Sequence, residues 1–123
     1  MKKTPTIKNA PAVEIDAAGR AVGRVAAEVA MILQGKHKAT FVKHLICGDA
    51  VKVKNAGQVK FTGRKLEQKD YLKHSMYPGG LKRRAMKHVF ADDPAAVVRR
   101  AVYGMLPKNK LRDEIMKRLT VEA

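Results

Sequence analysis

The sequence contains few of the residues that build disulfides, metal sites and base-stacking surfaces. Its 123 residues include one cysteine, Cys47, no tryptophan and six tyrosines and phenylalanines together. A single cysteine excludes an intramolecular disulfide and a metal site assembled from cysteines. The four histidines follow one another at intervals of 7, 30 and 14 residues, so no two lie one helical turn apart as paired metal ligands do. We therefore predict no metal and no other cofactor.

Long apolar runs are also absent. The longest, Val29–Leu33, is far shorter than the roughly 20 residues that cross a bilayer. The basic N-terminus is not followed by an apolar stretch of signal length, because Glu14 and Asp16 interrupt it. These features predict neither a signal peptide nor a membrane anchor. The single cysteine fits a reducing compartment.

Acidic residues are scarce, and the imbalance is concentrated in one part of the chain. There are 26 lysines and arginines against 11 aspartates and glutamates, a net charge of +15. Residues 36–88 carry 14 basic and 3 acidic side chains, whereas residues 1–35 carry 5 and 3, and residues 89–123 carry 7 and 5. We call residues 36–88 the basic block. So basic a segment between two nearly balanced ones predicts a surface that meets a polyanion.

Strand and helix patterns alternate along the chain. Short apolar or alternating segments predict strands at 13–15, 50–53 and 120–121, with a further extended piece at 59–62. Apolar residues at three- and four-residue spacing predict helices over 20–34, 81–90, 94–103 and 109–119. Residues 63–74 have no decisive periodicity. The alternation predicts a single α/β domain over 1–123 with a largely parallel sheet, preceded by an irregular arm at 1–11.

Residues that favour helix ends stand beside these helices. Gly35 and Gly104 are predicted to end the first and third, and Asn109 to cap the last. Asp92 and Asp93 stand directly before Pro94, which is typical of a helix start and explains the paired acids without catalysis.

No motif predicts an enzyme. The glycines at 19 and 23 lack the Gly-x-Gly-x-x-Gly spacing of a dinucleotide-binding turn, and no phosphate-binding loop follows elsewhere. Ser75 and Cys47 have no evident general base in the sequence. We predict no catalytic residues.

The cations of the basic block surround a glycine loop. Gly79 and Gly80 allow the backbone to approach a phosphate closely, and long cationic side chains can contact phosphates on either side. The flanking cations are Arg64, Lys65, Lys69, Lys73, Lys82, Arg83, Arg84 and Lys87. Outside the block, Lys108, Asn109 and Lys110 form a further basic segment, which we call the basic tip. Because lysines outnumber arginines by 17 to 9 and aromatics are few, the predicted target is the backbone of folded RNA rather than stacked single strands.

Two other functions remain compatible with these residues. One is a DNA-architectural protein, although the sequence offers no apolar wedge for a groove and no dimer motif. The other is a small RNA-modifying or hydrolytic enzyme, which would need His74 or Asp49 to act with a partner brought close by folding.

The order of the motifs resembles one family. Residues 101–111, Ala-Val-Tyr-Gly-Met-Leu-Pro-Lys-Asn-Lys-Leu, are similar to the signature of the large-subunit ribosomal protein thirteen family. Other segments resemble that family in the same order: Asp16-Ala17, Gly23-Arg24, Gly35-Lys36-His37-Lys38, Gly48-Asp49, Thr62-Gly63-Arg64-Lys65 and Tyr77-Pro78-Gly79-Gly80-Leu81-Lys82. The similarity extends from about residue 13 to residue 121. A glycine commonly follows Leu111 in the family, and this chain has Arg112 there.

The resemblance implies a three-layer α/β/α fold around a four-stranded, mainly parallel sheet. It implies a structural, non-catalytic constituent of the large ribosomal subunit with an early role in assembly. The implied partners are large-subunit rRNA and neighbouring large-subunit proteins, on a cytoplasmic or an organellar ribosome, with no membrane and no small-molecule substrate. The implied RNA contacts are Arg24, Lys36, His37, Lys38, His44, Arg64, Lys65, Lys69, His74, Tyr77, Gly79, Gly80, Lys82, Lys108 and Asn109.

Overall fold

A computed structural model describes residues 12–123, so the arm predicted at 1–11 lies outside the described residues. The elements in chain order are β1 (Val13–Asp16), α1 (Val22–Gln34), β2 (Val51–Lys54), a 3₁₀ turn (Ala56–Gln58), α2 (Lys65–Gln68), β3 (Asp70–His74), β4 (Leu81–Ala85), α3 (Met86–Asp92), α4 (Pro94–Met105), α5 (Leu111–Met116) and β5 (Leu119–Val121). The order is that of a mixed α/β protein, as the sequence predicts. No helix within 12–123 has the length and apolar character needed to cross a membrane.

The first helix follows its apolar stripe. Val25, Val29 and Leu33 are buried on the face of α1 that packs against α4 and β2. Gly35 ends the helix in the left-handed conformation, with φ of 83°, and its N–H donates to the carbonyl of Ile32. The prediction of this helix and of its glycine terminator is confirmed.

Three parallel strands form the main sheet, in the order β1-β2-β5. Their side chains alternate, so Ile15, Val51, Val53, Leu119 and Val121 are buried on one face. The opposite face carries Glu14, Asp16, Lys52, Lys54 and Thr120, which are exposed or half-buried. Only one face of the sheet carries buried side chains over residues 12–123, and the three layers that the resemblance implies are not confirmed.

Over residues 12–123 the sheet has three strands, where the resemblance implies four. The extended piece predicted at 59–62 forms a single parallel bridge, between Lys60 and Ala21. The Lys60 N–H donates to the carbonyl of Arg20 over 2.8 Å. The ladder stops there because its partner becomes helical at Val22, and a ladder needs extended backbone on both sides.

The helix predicted at 81–90 is wrong in its first half. Leu81–Ala85 is instead β4, which pairs antiparallel with β3, and only Met86–Asp92 is helical. The predicted stripe of Leu81, Ala85 and Val89 buries only Val89, since Leu81 stays about half exposed. The spacing fitted a helix, but cross-strand pairing with the aperiodic segment before it decides the structure.

The C-terminal helices differ from prediction at their ends. Asp93 caps α4 as predicted, because its carboxylate accepts a hydrogen bond from the Ala95 N–H over 3.1 Å. Gly104 does not end this helix, which continues through Met105. The Asn109 side chain accepts from the Leu111 N–H at the start of α5, but that helix ends at Met116 and Leu119 belongs to β5.

The hairpin of β3 and β4 is anchored by a small apolar cluster of its own. Met86, Val89 and Val97 are buried there, beside the rest of the core. Phe61 and Phe90 meet edge to face with ring centroids 5.1 Å apart, which is a favourable aromatic geometry. The base of the hairpin is therefore fixed, while the strands beyond it extend into solvent.

Candidate nucleic-acid interface

The predicted RNA contacts lie at the surface. All of them are exposed except Lys38 and Gly80, which are half-buried. The structure distributes them over three places. In or beside α1 and α2 lie Arg24, Arg64, Lys65 and Lys69. The hairpin and the start of α3 carry Lys73, His74, Tyr77, Gly79, Gly80, Lys82, Arg83, Arg84 and Lys87. Two loops carry the rest, Lys36, His37, Lys38, His44, Lys108, Asn109 and Lys110.

A groove of about 740 Å³ runs along the hairpin. We call it the hairpin groove, and its lining includes four of the predicted cations, Lys73, Lys82, Arg83 and Arg84. Within residues 12–123, Arg84 forms an ion pair with Asp92, whereas Lys73, Lys82 and Arg83 have no carboxylate within ion-pairing distance. The groove thus carries positive charge that the described part of the protein does not neutralise.

Two of these cations face each other across the hairpin. Lys73 is directly opposite Lys82 in the register of β3 and β4, so both side chains project from the same face. Like charges at directly opposed positions destabilise a β-ladder. An anion bound between the two ammonium groups, such as a phosphate, would remove that repulsion.

The tip of the hairpin is held in a defined conformation. The Ser75 N–H donates to the Gly80 carbonyl over 3.0 Å, and the Gly80 N–H donates to the Tyr77 carbonyl over 2.9 Å. A Cβ on Gly80 would lie 1.9 Å from Oγ of Ser75, so no larger residue fits there without displacement. The Met76 N–H donates to Nδ1 of His74 over 2.9 Å, so this histidine supports the tip as well as lying on its surface.

The tip also exposes apolar side chains. Met76 is 89% exposed and Tyr77 is 74% exposed. Met76 has φ of 68°, a left-handed conformation that is uncommon for a residue other than glycine. The fold therefore places two exposed apolar side chains together at the hairpin tip, a feature that the sequence did not indicate.

A second basic site joins the two loops. Lys36 and Lys43 share a cavity of about 210 Å³ with Pro107, Asn109 and Leu111. The loop after α1 and the basic tip near residue 109, which lie about seventy residues apart in sequence, are thus brought together. Sequence reasoning did not select Lys43 as a contact, although it lies between the selected Lys38 and His44.

Asp49 binds two of the predicted contacts, Lys38 and His37. Its Oδ1 accepts a hydrogen bond from Nζ of Lys38 over 2.7 Å, and its Oδ2 lies 3.2 Å from Nε2 of His37. The hydrogen bond from Lys38, with a smaller contribution from His37, holds the pKa of Asp49 below its usual value although partial burial opposes this. Lys38 also donates to the Cys47 carbonyl over 3.2 Å, so its role in the loop is partly structural.

Two further residues at the hairpin groove were not selected as contacts from the sequence. Tyr71 on β3 and Arg100 on α4 both line the hairpin groove. The Arg100 guanidinium lies 4.3 Å from the centre of the Tyr71 ring, within the range of a cation–π contact. Burial raises the pKa of Tyr71, and Arg100 opposes this. Arg100 lies outside the basic block, so the charge count alone could not place it at the interface.

Comparison with known proteins agrees with these features. A family model described as Ribosomal protein L13 matches residues 11–122. The proteins named Large ribosomal subunit protein uL13 from Geobacillus kaustophilus and Aquifex aeolicus are each 50% identical to this chain over 107 residues, which is 87% of this chain and 74% of theirs. The protein of the same name from Spiroplasma citri is 44% identical over 128 residues, covering 100% of this chain and 87% of its own.

The motifs identified from the sequence, from Asp16-Ala17 to the segment at 101–111, all fall inside the matched region. Because that match spans nearly the whole chain and the identity to several relatives is high, this protein belongs to the ribosomal protein L13 family, which is structural and not enzymatic.

Proposed function

We propose that this protein is a structural constituent of the large ribosomal subunit and binds rRNA mainly through phosphate contacts. The observation that carries the proposal is the hairpin groove, where Lys73 and Lys82 oppose each other without a carboxylate among the described residues to neutralise them. The groove stands on a hairpin whose base is anchored in the core, so the backbone that carries its cations is positioned before RNA binds. Such pre-organisation lowers the entropic cost of binding.

The loop site extends the proposed interface. Lys36, Asn109 and the exposed Lys108 and Lys110 would contact a second part of the rRNA, while His37 and Lys38 contribute less because Asp49 binds them. The proposed partners are large-subunit rRNA and neighbouring large-subunit proteins, and a bacterial cytoplasmic ribosome is favoured because the relatives named above are bacterial. We also propose that residues 1–123 form one domain and that Lys60, through its bridge to Ala21, serves as a rudimentary fourth strand.

The proposal is tested by the salt dependence of binding. With about 8 phosphates contacted, the logarithm of the association constant for large-subunit rRNA should fall against the logarithm of salt concentration with a slope of roughly −6 to −7. An electrophoretic shift series gives this slope directly. A slope near zero would contradict phosphate-based binding.

The exposed apolar tip gives one observation in favour of a DNA-architectural protein, since such proteins insert apolar side chains between base steps. Direct competition separates the two functions. Large-subunit rRNA should displace duplex DNA of equal length at matched salt, whereas the reverse preference would support DNA binding.

The triple variant K82A/R83A/R84A localises the binding. It should bind rRNA more weakly while its thermal unfolding stays nearly unchanged, because all three side chains are exposed and an exposed ion pair such as Arg84–Asp92 contributes little to stability. Equal loss of binding and of folding would mean that these side chains pack rather than bind.

A further inference from the structure

A second cavity, of about 360 Å³, lies beneath the base of the hairpin, between α1 and α4. We call it the glycine-lined cavity because Gly23 of α1 and Gly104 of α4 both line it. Its size falls within the range of sites that hold small organic groups, about 300–1,000 Å³. It adjoins the hairpin groove, since Tyr71 and Arg100 line both.

The two glycines have no structural reason to be glycines. Gly23 is the second residue of α1 and Gly104 is the last but one of α4, and alanine would fit the helical backbone at either end. Neither has positive φ, and a Cβ added to either would meet nothing within 4 Å. Two glycines that border the same empty space leave the helix backbone open to close approach by a bound group.

The residues that line the glycine-lined cavity indicate the chemistry of the group that would bind there. Lys65, Lys69 and Arg100 provide three cations for a phosphate, and Phe61 and Met105 provide apolar surface for a flat ring. The Tyr71 ring lies beneath the Arg100 guanidinium and 5.8 Å from Nζ of Lys69. The first turn of α1 has no acidic residue and no capping side chain, so its backbone N–H groups also favour an anion.

We propose that the glycine-lined cavity receives one unpaired nucleotide of the bound RNA, with its phosphate on Lys65, Lys69 and Arg100 and its base against the helix backbone at Gly23 and Gly104. An RNA strand that follows the hairpin groove would reach the cavity at Tyr71 and Arg100. The proposal rests on the proposed function and adds a nucleotide pocket to it. It also assigns a binding role to Tyr71 and Arg100.

The variants G23A and G104A test the pocket because they should weaken binding without lowering stability. Each should leave the midpoint of thermal unfolding unchanged or slightly higher, since an added Cβ would meet nothing within 4 Å. Each should weaken binding to large-subunit rRNA by about tenfold, the effect typical of losing one base contact. G57A is the matched control, because Gly57 is exposed without positive φ and an added Cβ would lie no closer than 3.9 Å to Pro94. It should bind as the wild type does.

Two neighbouring arginines allow a comparison of variants that remove the same charge. Arg99 and Arg100 are both exposed on α4, but only Arg100 lines the glycine-lined cavity. R100A should weaken rRNA binding by about tenfold and R99A by much less. Equal effects of the two variants would mean that only total charge matters and would overturn the pocket.

A mononucleotide titration tests the pocket without rRNA. In NMR spectra, 5′-AMP at tens of millimolar should shift the amide signals of Gly23 and Gly104 and bind more tightly than either adenosine or inorganic phosphate. Phosphate binding as tightly as AMP, or no shift of these signals with AMP, would overturn the proposal. If the wild type fails to bind rRNA, the proposed function fails; if it binds and G23A and G104A bind equally well, only the pocket fails.

Discussion

Asp49 shows that a cation in the basic block is not always available to RNA. The sequence presents Lys36, His37 and Lys38 as equivalent neighbours, but the fold turns His37 and Lys38 toward Asp49 and leaves Lys36 beside the cavity near Asn109. Twelve residues separate His37 from Asp49, so no local pattern could reveal the pair. Residue by residue, the sequence predicts which side chains are cationic and cannot predict which are neutralised internally.

Arg112 is a second example. It stands directly after Leu111, and from the sequence it adds one positive charge beside the basic tip. In the structure its guanidinium lies 3.8 Å from the centre of the Tyr103 ring and donates a hydrogen bond to the Tyr103 hydroxyl over 2.7 Å. The added arginine is therefore engaged within the protein.

D49N should destabilise the protein at neutral pH by about 1 kcal/mol, because Lys38 and His37 would lose their charged acceptor. The pKa of Asp49 is lowered by folding, so its contribution is complete above the carboxyl pKa of the unfolded chain, about 3.9, and is lost as pH falls through the lower folded value. Urea unfolding of both proteins at pH 7 and near pH 3 should show the difference shrinking as pH falls.

The control for this variant is D70N, which removes the same charge from an exposed aspartate with no ion pair among residues 12–123. It should leave the free energy of unfolding nearly unchanged at both pH values. A D49N difference that is constant with pH would show that the carboxylate charge is not what stabilises the loop.

At the scale of elements, the sequence predicts the helices, because their hydrogen bonds form within the element itself. The apolar stripe of α1 and the Asp93–Pro94 start of α4 are local signals, and both helices begin and pack as expected. The hairpin depends instead on pairing between Asp70–His74, which is aperiodic, and Leu81–Ala85, whose spacing also fits a helix. Local pattern cannot decide between the two, because the hydrogen bonds that do decide join residues up to fifteen positions apart.

G80A should disturb the hairpin tip and leave the rest of the fold largely intact. A Cβ at this position would lie 1.9 Å from Oγ of Ser75 and 2.9 Å from the Tyr77 carbonyl oxygen, so the turn must open. Because the tip is exposed and far from the buried cluster, the midpoint of thermal unfolding should fall by only about 1–3 °C. Binding to rRNA should fall several-fold as Met76 and Tyr77 lose their fixed positions.

Circular dichroism melting and an rRNA shift assay measure the two effects of G80A side by side. The variant S75A, which removes the hydroxyl that the new Cβ would strike, should restore part of the binding when combined with G80A. Full wild-type binding by G80A alone would show that the tip conformation does not matter to RNA.

At the scale of the whole molecule, the basic block does not form a single face. Its charge is divided among the hairpin groove, the glycine-lined cavity, the cavity between the two loops and the polar face of the main sheet. On that sheet face Lys54 binds Glu14 over 2.8 Å and Lys52 binds Glu122 over 2.9 Å. The hydrogen bond from Lys54 lowers the pKa of Glu14, and that to Glu122 raises the pKa of Lys52. The net charge of residues 36–88 therefore overstates the charge that faces RNA.

This division of charge predicts that the position of a lysine decides its effect on RNA binding. K73Q/K82Q removes two cations of the hairpin groove, and K52Q/K54Q removes two from the sheet face, so the net charge falls equally. The first should make the salt slope for rRNA binding less steep by about 1.4–1.8, since two phosphate contacts are lost, and should leave stability unchanged or slightly higher as the Lys73–Lys82 repulsion disappears. The second should leave the slope within error of the wild type, because those lysines already bind carboxylates. Equal changes in slope would show that RNA responds to net charge alone and would remove the hairpin groove from the interface.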